Sequence, residues 1–267
     1  MNGKYHIGTS GWSYDDWIGP FYPRGTAAAD FLPIYAEQFP AVEVDSTYYR
    51  PPTAKMAKAW ACKTSPNFRF FLKASGEVMH KRVLVDYDGE MEAMLAALQP
   101  LGEKVRCLLL QFGYFNRAAF STARPFFDRL DDFLKRFARR IVCAVEIRNK
   151  TWFTQEYLDL LRGHGAVAVL AEQAWMPPIN QLVDSYDVIT GPFSYVRLIG
   201  DRQGIEKITM KWNKTVVDRS EDLRHVKAAL RQLTRYNEAF IFVNNHYAGH
   251  GPATARHLQA TLEETIE

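Results

Sequence analysis

The residues best suited to chemistry in this chain are ionisable side chains that close short apolar runs. Lys73 lies in the run Arg69 to Ser75, and Glu146 and Arg148 lie at the end of the run Val142 to Arg148. Acids held close to bases shift one another's pKa values, as acid-base catalysis requires. The catalytic candidates are one lysine and three carboxylates: Lys73, Asp45, Glu146 and Glu172.

Eight apolar runs of strand length position these residues, and each is followed by a loop and a helix-like stretch. Alternating strands and helices predict a parallel sheet, and eight repeats predict an α/β fold of the (β/α)8 TIM-barrel type. We expect one domain over residues 1–267. An open doubly wound sheet is disfavoured because no Gly-x-Gly-x-x-Gly follows the first strand. The runs are His6 to Ser10, Val42 to Tyr48, Arg69 to Ser75, Cys107 to Phe112, Val142 to Arg148, Ala166 to Glu172, Ser194 to Ile199 and Phe240 to Asn245.

Helical spacing of apolar residues is clearest after strand four, around Phe126 to Phe137, and after strand seven, around Leu223 to Leu233. Thr154 and Ser220 are predicted N-caps, because acids or amides follow each of them in the first turn. The stretch Met176 to Val188 contains two prolines and predicts an irregular element.

Side-chain alternation predicts a ring of charges inside the barrel, since successive residues of a strand face opposite sides. The ring is nearly neutral, as burial demands, because an unpaired ion in a protein interior costs several kcal/mol. It could therefore serve catalysis or be a structural salt-bridge network, and Glu43, the deepest member, suits the structural role. The charged members are Glu43, Asp45, Lys73, Glu146, Arg148, Glu172 and Arg197.

The segment after strand eight, Asn244 to Thr254, is a candidate anion site. In barrels the loops after strands seven and eight often hold a phosphate on free backbone N–H groups at a helix N-terminus. The same residues would also suit a plain tight turn. The candidate phosphate ligands are Arg148, Arg197, Asn244, Asn245, His246, Gly249 and Gly251.

Aromatic residues form a second layer around this predicted site. Five of the six tryptophans fall in loops after strands, where they could stack on bases or sugars or simply anchor the loops. We expect Trp12, Tyr48 and Trp152 to line the walls of the site.

A divalent metal is a weaker possibility. Asp45, Glu146, Glu172 and His246 could converge, and such a set would suit Mg²⁺ or Mn²⁺. No His-x-His or Glu-x-x-His spacing appears, so we expect no cofactor and keep the metal only as an alternative.

Composition sets further bounds. The formal charge is 33 minus 30, or +3, which permits a nucleic-acid partner without requiring one. The three cysteines have no ligand-like spacing, and no segment has the length of a membrane span. We expect a cytoplasmic protein with no membrane partner, and the oligomeric state is left open.

Motifs along nearly the whole chain resemble the YecE-like family, domain of unknown function 72. That resemblance implies a (β/α)8 barrel without an established reaction. Similarity of that barrel to metal-dependent endonuclease and sugar isomerase barrels implies nucleic acid or phosphorylated ligands by analogy of fold. The matching motifs are Ile7 to Tyr14 with Trp17, Phe21 to Pro23, Val42 to Arg50, Phe70 to Lys73, Glu146 to Arg148 with Trp152, and Val243 to Asn245.

The leading prediction is an enzyme that acts on a phosphate-bearing ligand, either a nucleotide or a nucleic acid. Phosphodiester hydrolysis is the expected reaction, at the end of the barrel where the strands terminate. Two alternatives remain: a non-catalytic module that binds nucleic acid or nucleotides, and a divalent-metal-dependent isomerase or nuclease.

Overall fold

The computed structural model describes residues 5–264 and confirms the eight predicted parallel strands. Each strand lies within two residues of its predicted start. The strands are β1 (Tyr5–Thr9), β2 (Ala41–Val44), β3 (Arg69–Lys73), β4 (Val105–Gln111), β5 (Cys143–Glu146), β6 (Val167–Gln173), β7 (Ser194–Gly200) and β8 (Ala239–Val243).

The strands follow the order of a (β/α)8 barrel, β1-β8-β7-β6-β5-β4-β3-β2. A parallel bridge pairs Ser10 with Glu43, and the Gly11 amide donates to the Glu43 carbonyl at 2.8 Å, which joins the two ends of that order. Gly8 allows the close approach of β1 to β2, because a Cβ at this position would lie 2.2 Å from the Ala41 carbonyl oxygen. The fold class is therefore the one predicted, a TIM-type barrel.

Ten α-helices lie within residues 5–264, and the two with the clearest predicted apolar spacing, after strands four and seven, are among them. Six apolar side chains of α4 are buried, and each is worth roughly 2 kcal/mol of hydrophobic stabilisation. The helices are α1 (Phe31–Gln38), α2 (Ala54–Cys62), α3 (Asp88–Leu98), α4 (Arg124–Phe137), α5 (Gln155–Gly163), α6 (Ile179–Ser185), α7 (Arg202–Glu206), α8 (Ser220–Leu233), α9 (Asn245–Ala248) and α10 (Gly251–Glu263). Among the residues described, none of these helices has the length and apolar character that crossing a bilayer requires.

One of the two predicted N-caps is confirmed. The Thr154 hydroxyl accepts from the Tyr157 amide at 3.4 Å at the start of α5. Ser220 is instead the first residue inside α8, and both its amide and its hydroxyl donate to the Asp218 carboxylate. The cap prediction was wrong there because an acid two residues earlier binds the serine.

The chain separates into two compact units. The described residues of the first unit come from Met1–Glu43, Leu170–Ser185 and Tyr195–Glu267. Those of the second come from Val44–Val169 and Tyr186–Ser194. The first unit contains the β1–β8 pair and the second contains β3, β4 and β5 in parallel register. The ends of the predicted domain 1–267 lie outside the described residues.

Three polar residues assigned to strands lie beyond the strand ends. Asp45 opens a 3-10 turn after β2, Arg148 follows β5, and Asn245 is the first residue of α9. Strand alternation therefore does not set the direction of these three side chains. Each of them is held by local contacts instead, which define the sites below.

Candidate functional site

In the second unit, the end of β3 carries an ion pair. Lys73 Nζ lies 2.7 Å from Asp45 Oδ1. The turn after β2 is fixed to the end of β3 by the Thr47 hydroxyl, which contacts the Lys73 carbonyl at 2.8 Å and the Val44 carbonyl at 3.0 Å. The Lys73 side chain is mostly buried and that of Asp45 is one-third exposed, so the pair borders solvent.

A second ion pair lies at the end of β5. Glu146 is fully buried, and its Oε1 accepts from Arg148 Nε at 3.1 Å. About a third of the Arg148 side chain is exposed. Within residues 5–264 no hydrogen bond occupies Nη1 or Nη2 of this arginine. The guanidinium is therefore anchored on one side and keeps its outer donors for a ligand.

His80 lies in the same neighbourhood and was not among the site residues predicted from the sequence. The charges of Lys73, Glu146 and Arg148 all act on its imidazole, which also bonds to the backbone of Gln111. Burial lowers the pKa of His80, and the positive charges of Arg148 and Lys73 lower it further. Its Nε2 is buried with no hydrogen-bond partner among the described residues. We call Asp45, Lys73, His80, Glu146 and Arg148 the charged cluster.

His80 belongs to a π-helical turn, Glu77–Lys81, in the loop after β3. Single π-helical turns occur frequently at functional sites. Strand ends do not reveal this residue, because His80 lies seven residues beyond Lys73, inside a loop. The usable signal was a lone histidine in a loop that follows a strand ending in lysine.

Backbone strain follows this turn. Val83, Leu84 and Asp86 have positive φ angles of 44°, 60° and 48°. Such angles are unfavourable for L-residues and most of all for a β-branched one such as Val83. Arg129 Nη1 donates to the Val83 carbonyl at 3.2 Å, and Arg82 donates to the Asp86 carbonyl. These arginines help to hold the chain in its strained course beside His80.

Tyr48, a predicted wall residue, packs against this segment. Its ring is nearly perpendicular to the His80 ring, at 85° and 5.3 Å between centroids. A Cβ on Gly76 would lie 2.4 Å from the Tyr48 ring, so only glycine leaves room for the tyrosine. Tyr49 contacts Tyr48 at 5.1 Å and is 82% exposed.

In the first unit, Glu43 and Arg197 form a buried pair. Arg197 Nη2 and Nε donate to the two carboxylate oxygens at 2.6 and 2.7 Å, and the Tyr195 hydroxyl adds a bond of 2.6 Å. Neither side chain is more than 1% exposed. This geometry favours the structural role considered for Glu43. Arg197 neutralises the Glu43 carboxylate, so its guanidinium is not presented to a phosphate.

The turn after β8 does not offer the free amides on which the anion prediction depended. The Gly251 amide donates to Asn245 Oδ1 at 2.8 Å, and the Ala253 amide donates to His250 Nδ1 at 3.3 Å. Gly249 has a φ of 108° and its amide donates to the Asn245 carbonyl at 2.7 Å. Asn245 and His250 thus cap α10, because they accept the amide hydrogen bonds that a bound anion would have needed. Burial lowers the pKa of His250 to about 4.

His246 and Asn244 form a local network in the first unit. Asn244 Oδ1 accepts from the His246 amide at 3.0 Å and lies 2.6 Å from its Nδ1. Nε2 of the same histidine lies 3.1 Å from Glu206. The Trp212 ring packs against the imidazole at 4.6 Å. Both ring nitrogens therefore already have protein partners.

Glu172 also lies in the first unit and accepts from the Ile179 amide at 3.0 Å. Burial raises the pKa of this carboxyl group. Its bond explains why a helix forms after Pro177 and Pro178, where the sequence predicted an irregular element. The carboxylate supplies the N-terminal partner that α6 needs.

The other two predicted wall residues differ in environment. Trp152 is 8% exposed and stacks on Phe126 and Phe115, with centroids 5.5 and 5.8 Å away. It packs in the aromatic cluster beside α4, which leaves little of its ring exposed, and its place in the wall of a site stays a prediction. Trp12 is partly exposed, and its carbonyl accepts from the Tyr22 hydroxyl.

Comparison with known protein families matches residues 6–267 to the model described as protein of unknown function DUF72. The chain belongs to the DUF72 family. This match confirms the predicted resemblance to the YecE-like family.

Two curated relatives support the assignment. UPF0759 protein YunF of Bacillus subtilis is 30% identical over 166 residues, which are 58% of this chain and 54% of YunF. UPF0759 protein YecE of Escherichia coli is 26% identical over 106 residues, 40% of this chain and 36% of YecE. The DUF72 chain thus matches about half the length of YunF and about a third of YecE.

Solved DUF72 structures have the same fold. A DUF72 protein from Thermotoga maritima is 26% identical with a TM-score of 0.79, and the match covers 98% of this chain and all of that one. Another from Enterococcus faecalis is 19% identical with a TM-score of 0.75, covering 98% and 97% of the two chains.

Within the described part of this DUF72 chain, no three His, Cys, Asp or Glu side chains form a group that could hold a metal ion. Asp45, Glu146, Glu172 and His246, which the sequence left open as an alternative metal site, therefore form no such group among the described residues. The charged cluster instead combines two cations, two carboxylates and a half-buried imidazole. Such a set can bind an anion and move a proton.

Proposed function

We propose that this DUF72 chain is an enzyme that binds a phosphate-bearing ligand at the charged cluster and hydrolyses a phosphodiester. One observation carries the proposal. The charges of Lys73, Arg148 and Glu146 all act on the half-buried imidazole of His80, so anion-binding and proton-transfer groups share one neighbourhood. Perturbed titratable groups beside specific charges mark candidate functional sites.

Arg148 supplies the main phosphate contact. Its planar guanidinium presents donors in a fixed fork that matches two phosphate oxygens, and Glu146 holds it through Nε. Lys73 adds a compact positive charge held by Asp45. The two carboxylates fix the positions of the two cations before the ligand arrives.

The same cations stabilise the reaction. As water attacks phosphorus, negative charge increases on the phosphoryl oxygens, and preorganised donors near it lower the barrier. The bond from phosphorus to the leaving oxygen breaks, the water oxygen becomes bound to phosphorus, and one proton passes from the water to a base of the cluster. The departing oxygen takes a proton from Lys73 or from solvent, which leaves a phosphomonoester and an alcohol.

Tyr49 favours a nucleotide or nucleic acid over a simple phosphate ester. It is an exposed ring that contacts Tyr48, which in turn contacts His80. Exposed aromatic rings beside cationic groups stack on bases and contribute about 1–3 kcal/mol per base. A ligand with phosphate at Arg148 would have a ring surface available beside it.

The test is hydrolysis of bis(4-nitrophenyl) phosphate, followed by release of 4-nitrophenolate. We expect turnover by the wild-type protein, a loss of kcat in Lys73→Met, and a KM about 10- to 100-fold higher in Arg148→Met, the effect of losing a charged hydrogen bond. Lys58→Met and Arg139→Met are matched controls, because both residues are exposed and lie in the second unit.

A dinucleotide titrated by calorimetry distinguishes catalysis from binding alone. Binding weakened by Arg148→Met, without turnover in the wild type, would support the non-catalytic binding module. No turnover and no binding would reject the assignment of this cluster.

A further inference from the structure

We infer that His80 accepts the proton of the attacking water through Nε2. The inference rests on the proposed function, because it assigns the base in that reaction. Three features support this inference: the imidazole is held in place, its Nε2 has no hydrogen-bond partner among the described residues, and charged residues lie near it.

The ring is fixed from several sides. It bonds to the backbone of Gln111, and Tyr48 packs across it at 5.3 Å. Gly113 lies alongside, where an added Cβ would be 3.5 Å from Cε1 and 3.6 Å from Nδ1. A general base works best when its orientation is set before the substrate binds.

The hydrogen-bond pattern favours one tautomer. Nε2 has no partner among the described residues, so we assign the bond to the Gln111 backbone to Nδ1. Because that bond favours the protonated ring, Nδ1 donates its hydrogen to the carbonyl. In the neutral imidazole Nε2 therefore carries the lone pair. This is the nitrogen that can take a proton.

The unpaired nitrogen is unfavourable for stability. A buried polar atom without a partner costs about 1–3 kcal/mol, and each such atom in a native protein needs an explanation. Here the explanation is an acceptor whose partner arrives with the substrate.

Burial lowers the pKa of His80, and three neighbouring charged residues act on it as well. Lys73 at the end of β3 and Arg148 after β5 favour the neutral ring, while Glu146 in β5 opposes them. Tyr48 faces the ring from the turn after β2. An anionic ligand would offset the two cations and raise the affinity of Nε2 for the proton as the reaction begins.

Proton transfer then balances simply. Nε2 takes one proton from the water as its oxygen bonds to phosphorus, and the imidazole becomes an imidazolium. That proton returns to solvent after the alcohol and the phosphomonoester leave. The ring is restored to its neutral form, and no other reactant is consumed.

The experiment compares wild type, His80→Gln, His80→Ala and the exposed control His257→Gln on bis(4-nitrophenyl) phosphate. We expect kcat to fall at least about 100-fold in both His80 variants, with KM changed less than about threefold. Added imidazole should restore part of the His80→Ala activity. The control should match wild type.

The inference would be overturned if the wild-type protein turned over substrate and His80→Gln kept more than about one-tenth of the wild-type activity. The proposed function would remain supported in that case. If no protein turned over, the proposed function itself would fail and the base assignment with it. The wild-type pH profile gives a second check if the variants do not fold. Because the pKa of His80 is lowered in the ligand-free protein, kcat/KM, which reports the free enzyme, should decline only below about pH 6.5, and a kcat/KM unchanged down to pH 4 would contradict the assignment.

Discussion

Removing Arg197 tests whether the buried pair in the first unit is structural. Arg197→Met leaves Glu43 as an uncompensated buried carboxylate that keeps only the Tyr195 hydroxyl among the three bonds described above. Breaking one partner of a buried pair typically costs about 3–5 kcal/mol. We expect that loss in the free energy of unfolding, measured by urea titration at pH 7.

The double variant Glu43→Gln with Arg197→Met completes a double-mutant cycle for this ion pair. With the carboxylate neutralised, at least half of the loss should be recovered, because no ion remains buried without its partner. Arg139→Met removes an exposed arginine and should change stability by less than about 0.5 kcal/mol. A loss below about 1 kcal/mol in Arg197→Met, combined with loss of dinucleotide binding, would refute the structural role and restore the phosphate role predicted from sequence.

Three further predictions concern two glycines, the start of α10 and His250. Gly8→Ala should lower the free energy of unfolding by more than about 2 kcal/mol, because its Cβ would lie 2.2 Å from a carbonyl oxygen, whereas Gly89→Ala has open space and should be neutral or stabilising by up to about 1 kcal/mol in thermal melts. Asn245→Ala should cost about 1–3 kcal/mol in urea titrations by leaving a buried amide of α10 unpaired; no loss would mean that water caps the helix equally well. Burial lowers the pKa of His250 to about 4 in the folded protein, below its unfolded value. Its contribution to stability is therefore complete above about pH 6.5 and is lost as pH falls towards 4. His250→Asn should reduce the drop in the urea midpoint between pH 7 and pH 4.5, and an unchanged drop would contradict burial of His250 as the cause of that drop.

The barrel could be predicted because its signal is repeated. Eight apolar runs each bury a strand, and every run adds independent evidence for the same fold. The strand ends were less predictable. Asp45 and Arg148 continue their runs in sequence, but a 3-10 turn begins at Asp45 directly after β2, and β5 ends at Glu146. Alternation was therefore applied one residue too far at Asp45 and two residues too far at Arg148.

The site was only partly predictable, because pairing depends on three-dimensional proximity. Lys73 and Asp45, both predicted members of the ring of charges, form an ion pair. The sequence could not show that Asn245 and His250 would occupy the amides of α10, since a glycine-rich turn fits an anion or an internal cap equally well. His80 was missed because its position depends on a π-helical turn, which has no sequence periodicity.

The strained backbone at Val83 marks where this protein could be made more robust. Glycine adopts a φ of 44° without the steric cost that valine bears, a difference of about 1–2 kcal/mol per residue. The bond from Arg129 reaches the backbone carbonyl of Val83, so the exchange would keep it. A laboratory selection for heat resistance alone should therefore accept Val83→Gly readily. A selection that also demands turnover should reject it if the stiff valine keeps the neighbouring loop in the shape that catalysis uses, since stability and activity often compete at such positions.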